Sequence, residues 1–192
     1  DSRKAMSLMQ RLRGEVLSLA TAYFGLYNAI RQVGEVIRAF QKLEAAQNRL
    51  GAVFKQNMEA VRSEMEWLQR QSARLVIEFG VLSDEYSKFA VAAQAANFES
   101  ANVRKIFLAV AEAARVNKLS MDQMSGVFLA LQQMISKGKV TSEELRRQLG
   151  DRLPGAFNIM AEALGLTTAQ LDEMMKKGEI LADETNLLKF AE

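Results

Sequence analysis

Three times in the last third of this 192-residue sequence, a hydroxyl residue is followed three positions later by Gln or Glu: Ser120 with Gln123, Thr141 with Glu144, and Thr167 with Gln170. In a capping box the hydroxyl accepts a hydrogen bond from the third backbone N–H, while the Glu or Gln reaches back to the first. Each pair therefore predicts a helix start. The predicted stops are Gly138, Gly165 and Gly178, each following an amphipathic run and each free to take the left-handed conformation that closes a helix. Lys137, Lys176 and Lys177 stand where cations favour the negative helix end. Between these marks, Met121, Met124, Phe128, Leu131 and Ile135 predict one buried face, and Phe157, Met160, Ala161 and Leu164 another. The chain has a single proline and few alternating β-branched runs, so the expected fold class is all-α.

The first third reads differently. Met9, Leu12, Val16, Leu19, Tyr23, Leu26, Ile30, Val33, Ile37 and Phe40 alternate steps of three and four, which is a coiled-coil seam. It ends where Glu44 and Gln47 take the next two seam positions. Ten apolar seam positions in a row predict a long association helix over residues 1–51, pairing with copies of itself in a homo-oligomer or folding back on the rest. A compact domain of several short helices is expected over 52–192, with early helices at Met58–Leu75, Leu82–Ala96 and Val103–Val116. The uncharged run Val16–Ile30 falls short of the roughly 20 apolar residues of a membrane span and contains Ser18, Thr21 and Asn28.

Composition narrows the chemistry. With no cysteine and no histidine, the chain lacks a thiolate, an imidazole base, disulfides and the usual zinc ligands, and no cofactor is expected. The 25 basic and 23 acidic groups nearly balance, so no specific nucleic-acid binding is expected. Gly138-Lys139 is not a phosphate-binding loop, because Gln133 stands where that motif needs its first glycine and Val140 where it needs Ser or Thr. LTTAQLDEMMKKGEI has the look of a helix-turn-helix start, but the residues after Gly178 are acidic and would repel phosphate. Glu99-Ser100 resembles the catalytic pair of lytic transglycosylases without that family's downstream motif, and Ser100 reads more simply as a helix N-cap. Residues 136–157 are then a joint. Gly138 stops one helix, Thr141 and Glu144 start a short one reaching Leu149, and Gly150 breaks it; Pro154 and Gly155 open the next, with Pro154 near its first turn.

The stretch Leu119–Ile180, with SKGKV, EELRRQLG, LPGAF, ALG, TT and LDEMMKKGE in order, closely resembles the tape measure domain of bacteriophage tail length tape measure proteins. Weaker similarity extends to EYSKFAVAA at Glu85–Ala93 and EMEWL at Glu64–Leu68. The resemblance implies a non-enzymatic scaffold and ruler that acts inside the tail tube of a virion, after assembly in the bacterial host cytoplasm. It implies partners among the tail tube protein, tail assembly chaperones, and tail tip or baseplate proteins, with membrane contact only during infection. The other expectation it raises is a membrane-active helical protein that assists genome entry. The chain lacks the long repeats of such proteins and reads as a piece of a longer one.

Overall fold

The computed structural model describes residues 33–192. Seam positions Met9 to Ile30 lie outside the described residues, and so does most of the predicted association helix. The chain divides into two units, residues 1–38 and 39–192, and every buried apolar residue named below belongs to the second. The described helices are α1 (Val33–Val53), α2 (Met58–Leu75), α3 (Phe79–Ala95), α4 (Ser100–Val116), α5 (Met121–Lys137), a π-helix (Glu143–Leu149), α6 (Ala156–Ala163), α7 (Thr168–Lys177) and α8 (Glu184–Ala191). Among the described residues there is no strand, only one isolated antiparallel bridge between Lys139 and Leu181. The fold class is all-α.

A regularity runs through α2 to α5 that the sequence did not announce. Their N-caps are Asn57, Glu78, Glu99 and Ser120, each 21 residues after the last. The first backbone hydrogen bond of each helix repeats at the same interval, from Val61 to Asn57, Leu82 to Glu78, Val103 to Glu99 and Met124 to Ser120. The closing bonds repeat too, from Ile77 to Ser72, Phe98 to Ala93 and Leu119 to Ala114. Packing follows the same template. Four residues after each cap stands a buried apolar residue (Val61, Leu82, Val103, Met124), and eleven after it another (Leu68, Phe89, Val110, Leu131). The eighth place holds Met65, Tyr86, Phe107 and Phe128, and the fifteenth holds Ser72, Ala93, Ala114 and Ile135.

This spacing makes the chain fold up as a stack. Helices two apart run parallel about forty residues out of step: Arg115 Nε donates to Leu75 O at 2.7 Å between α4 and α2, and Ser125 Oγ to Glu85 at 2.8 Å between α5 and α3. In the same way Gln94 at the end of α3 donates to Val53 O at the end of α1, at 2.7 Å. The eighth-place residues meet as an aromatic ladder. Tyr86 and Phe107 meet edge-on with centroids 5.0 Å apart, and Phe107 stacks on Phe128 at 4.3 Å. Each such pair contributes about 0.5–1.5 kcal/mol beyond its buried area.

The turns of the stack are unusual. Lys55, Gln56, Val76, Asn97 and Lys118 all have positive φ, a conformation that costs a non-glycine residue roughly 1–2 kcal/mol, least for asparagine. From Gly138 onward the positive-φ positions are glycines: Gly138, Gly155, Gly165 and Gly178.

Several expectations need correction. α3 begins at Phe79 and α4 at Ser100, so Ser100 is the first helical residue and Glu99 is its cap. Met58 and Met121, placed on buried faces, are exposed. Thr141 is not a capping-box residue: Ser142 precedes a π-helix with no side-chain cap, and the Thr141 hydroxyl donates to the Glu144 carboxylate instead. Pro154 lies before the cap of α6, which is Gly155, rather than in the helix's first turn.

The π-helix explains Gly150. Its N–H donates to Leu145 O, five residues back, at 3.0 Å, and a β-carbon there would overlap the backbone carbonyl of Arg146. A backbone atom cannot swing aside as a side chain can. Gly150→Ala should therefore destabilise the domain by about 1–3 kcal/mol, read as a lower urea midpoint at unchanged slope.

Candidate functional site

Helix α3 is buried on nearly every side, from Gly80 through Ala93, yet its middle reads Ser83-Asp84-Glu85-Tyr86-Ser87-Lys88. Polar groups in that position need partners or they cost the full price of desolvation. The partners come from every helix around it. From α1, Arg49 Nη1 reaches Asp84 Oδ1 and Ser87 Oγ, both at 2.8 Å. From α2, the buried Glu64 accepts the Tyr86 hydroxyl and the Arg104 guanidinium, the latter from α4. Arg104 also lies over the Trp67 ring at 5.1 Å, and Ser125 of α5 donates to Glu85. The Ser83 hydroxyl alone in this run is buried without a protein partner.

The electrostatics follow from these contacts. Burial pushes the Asp84 carboxyl up, but the hydrogen bonds and charges of Lys88 and Arg49 outweigh it and hold the group below the usual carboxylate range. Burial and the neighbouring Glu64 charge raise the Tyr86 phenol well above its ordinary value, so it stays a neutral donor. The hydrogen bond to Glu64 raises the Arg104 guanidinium further. Apart from the Ser83 hydroxyl, these polar groups bond one another.

The joint at 136–157 is built the same way. Glu144 is buried in the π-helix, where Lys137, from the last turn of α5, and Thr141 both bond its carboxylate. Burial raises its pKa, but these two contacts bring it below the usual value. Arg146 covers the Phe157 ring at 3.7 Å and pairs with Asp172 at 2.9 Å, joining the π-helix to α6 and α7. Gly138 closes α5 at φ 68, Gly155 caps α6 at φ 88, and Gly178 closes α7 at φ 72. Gly165 follows the end of α6 with φ 67. Val140 and Ala182 donate to Ile180 and Gly138 at 2.8 and 3.2 Å, so the joint is tied to the linker ahead of α8. Lys137, Thr141 and Glu144 thus form one cluster, and Gly138 is bonded to the linker ahead of α8.

The seam residues fare differently. Val33 opens α1, Ile37 is half exposed, and Phe40 is half-buried, whereas from Ile37 onward the buried residues of α1 are Ala46, Leu50 and Gly51. The polar partners Arg49, Glu64, Arg104 and Ser125 were missed by sequence reasoning. Their one signal is a run of polar residues inside an otherwise apolar helix.

Among the described residues no group of three or more Cys, His, Asp or Glu could hold a metal, and no helix is long and apolar enough to cross a membrane. Residues 34–188 match the family model described as tape measure protein. The chain is also 31% identical over 178 residues to the probable tape measure protein of Salmonella phage Felix O1 (isolate Felix O1-VT1), covering 92% of this chain and 23% of that relative. No solved structure matches.

Asp84 and Glu144 both have folded-state pKa values below their unfolded ones. Their ionised forms therefore add stability above the ordinary carboxylate range, and that contribution is lost as pH falls through the depressed values. The urea midpoint should drop as pH falls from about 5 to 3, and the drop should be shallower for Glu144→Gln, starting from a lower midpoint at neutral pH.

Proposed function

The chain belongs to the tape measure protein family, and from that premise we propose that it is a section of the structural ruler of a phage tail, carried inside the virion. The match over residues 34–188 carries this reading. Because the chain spans 23% of the phage relative, the ruler's full length would lie mostly in sequence beyond this section. A ruler needs a material that extends by a fixed amount per residue and resists stretching. A continuous α-helix does both, advancing about 1.5 Å per residue through backbone bonds made within the segment.

The seam supports a second part of the reading. Ten successive apolar seam positions on one helix would leave a long apolar stripe in water unless copies of the chain cover it. The partners would be further copies of this chain, the tail tube protein around them, and the assembly chaperones and tail tip or baseplate proteins at either end. No catalytic step is needed for this role, and the ion pairs of the compact unit serve its packing.

Two measurements check the reading. Deleting the 21 residues 10–30, three whole heptads, from the full-length parent should shorten assembled tails by about 30 Å in electron micrographs; unchanged tails would count against a ruler. Leu26→Glu puts a charge at the centre of the seam. Sedimentation should find the parent chain oligomeric and this variant smaller, while a parent that stays monomeric at high concentration would remove the oligomer.

A further inference from the structure

Among the described residues, the half-buried cationic side chains are Arg49, Lys88, Arg104 and Arg152. The first three lie against carboxylates: Arg49 and Lys88 on Asp84, at 2.8 and 2.7 Å, and Arg104 on Glu64. Arg152, in the turn after the π-helix, has no such partner among the described residues. Its side chain bonds only the Gln148 carbonyl, four residues back, through Nη1. A guanidinium carries five N–H donors, so Nε and Nη2 are left without a protein acceptor. A partly dehydrated cation gains most from an anion, and the described part of the chain supplies none.

Helix α5 is shaped to seat this side chain. Gly126 lies in the helix interior, where glycine is weaker than alanine, and it has neither a turn nor a positive φ to explain it. The explanation is Arg152: a β-carbon at position 126 would overlap Nε and Cζ of the guanidinium and crowd Nη2. By contrast Gly138, Gly155 and Gly165 have open space around them and stand at turns with positive φ. Gly126 thus lets the guanidinium rest on the backbone of α5, and that seat together with Gln148 fixes where the charge stands.

The surroundings decide which anion fits. Leu129, one turn along α5 from Gly126, is half exposed, and Pro154 and Gly155 just beyond Arg152 are exposed. Asp122, one turn back along α5, and Asp151, next to Arg152, are exposed acids, and neither bonds the guanidinium. One cation flanked by two acids disfavours a doubly charged phosphate group, and a nucleic-acid backbone needs several cations in a row. A carboxylate instead matches the fork of a single guanidinium. We propose that Arg152, seated on Gly126, is a docking site for an Asp or Glu side chain of a partner protein, whose neighbouring apolar residue settles on Leu129. This inference is independent of the ruler reading, since it concerns what binds this section and not how length is set.

Heteronuclear NMR of the full chain can follow the Arg152 Nε–H signal, assigned by its loss in Arg152→Lys. The probe is the blocked peptide acetyl-Ala-Leu-Glu-Ala-Leu-amide, with the same peptide carrying Gln for Glu, and inorganic phosphate, as comparisons. The Glu peptide should move the signal saturably with a Kd of about 1 mM, and the Gln peptide should bind at least about tenfold more weakly. Gly126→Ala displaces a flexible side chain and not backbone, so its urea midpoint should hold or rise. Its affinity for the Glu peptide should nevertheless fall at least about tenfold. A signal that shows no saturable shift up to about 10 mM Glu peptide overturns the proposal. Equal binding of the two peptides overturns it as well, and so does a Gly126→Ala chain that binds like the parent. Phosphate acting at lower concentration than the Glu peptide would assign the site to a phosphate group and remove the carboxylate partner.

Discussion

A helix buried on nearly all sides can be apolar all round, or it can carry polar residues and make its neighbours answer them. α3 does the second, and the rest of the unit is arranged accordingly. Arg49, Glu64 and Ser125 come from three different helices and bond the polar run of α3 directly, while Arg104 from a fourth holds Glu64 in place. An apolar α3 of similar volume could be as stable, since desolvating ion pairs offsets much of their attraction. The polar version is more exacting. Sliding any neighbour by one turn would leave a buried charge without its partner, at a cost of several kcal/mol. The apolar ladder of Tyr86, Phe107 and Phe128 supplies attraction without register, and the polar run supplies the register.

Local signals were the legible part of this fold. The capping boxes at Ser120 and Thr167 depend on four consecutive residues each, and both form with their reciprocal bonds. Thr141-Ser-Glu-Glu144 carries the same signal and does not obey it, because Lys137 and the buried setting draw the Glu144 carboxylate inward. A pattern of four residues cannot register a cation on the preceding helix. The start of α4 moves by one residue: Glu99 is the cap, and its own N–H donates to Glu184, 85 positions away, at 2.7 Å.

The 21-residue period was present in the sequence but disguised. Ser72 occupies a buried template position, and Glu64 and Glu85 fill the buried place seven after the cap that Ile106 and Val127 fill in α4 and α5, so a search for apolar residues alone loses count. What identifies the units is their hydrogen-bonding frame, the same first and last backbone bond in each, and that frame becomes visible only once the helices are placed. The π-helix was beyond reach altogether. Its wide turn depends on the close approach of Gly150 to the Arg146 carbonyl, a relation between backbone atoms that no side-chain pattern encodes.

The remote cap on α4 also bears on the order in which the molecule can be completed. As the chain leaves the ribosome, each helix of the stack finds its neighbours within the preceding forty or so residues, and the ladder can grow behind the point of synthesis. Glu184 is different. Its carboxylate also holds the Asn102 side chain, at 3.0 Å, so the first turn of α4 waits for nearly the last residues of this segment. Until α8 arrives and packs, a nascent chain would hold an assembled ladder with one helix end unsealed, and a residue made 85 positions later would close that bond.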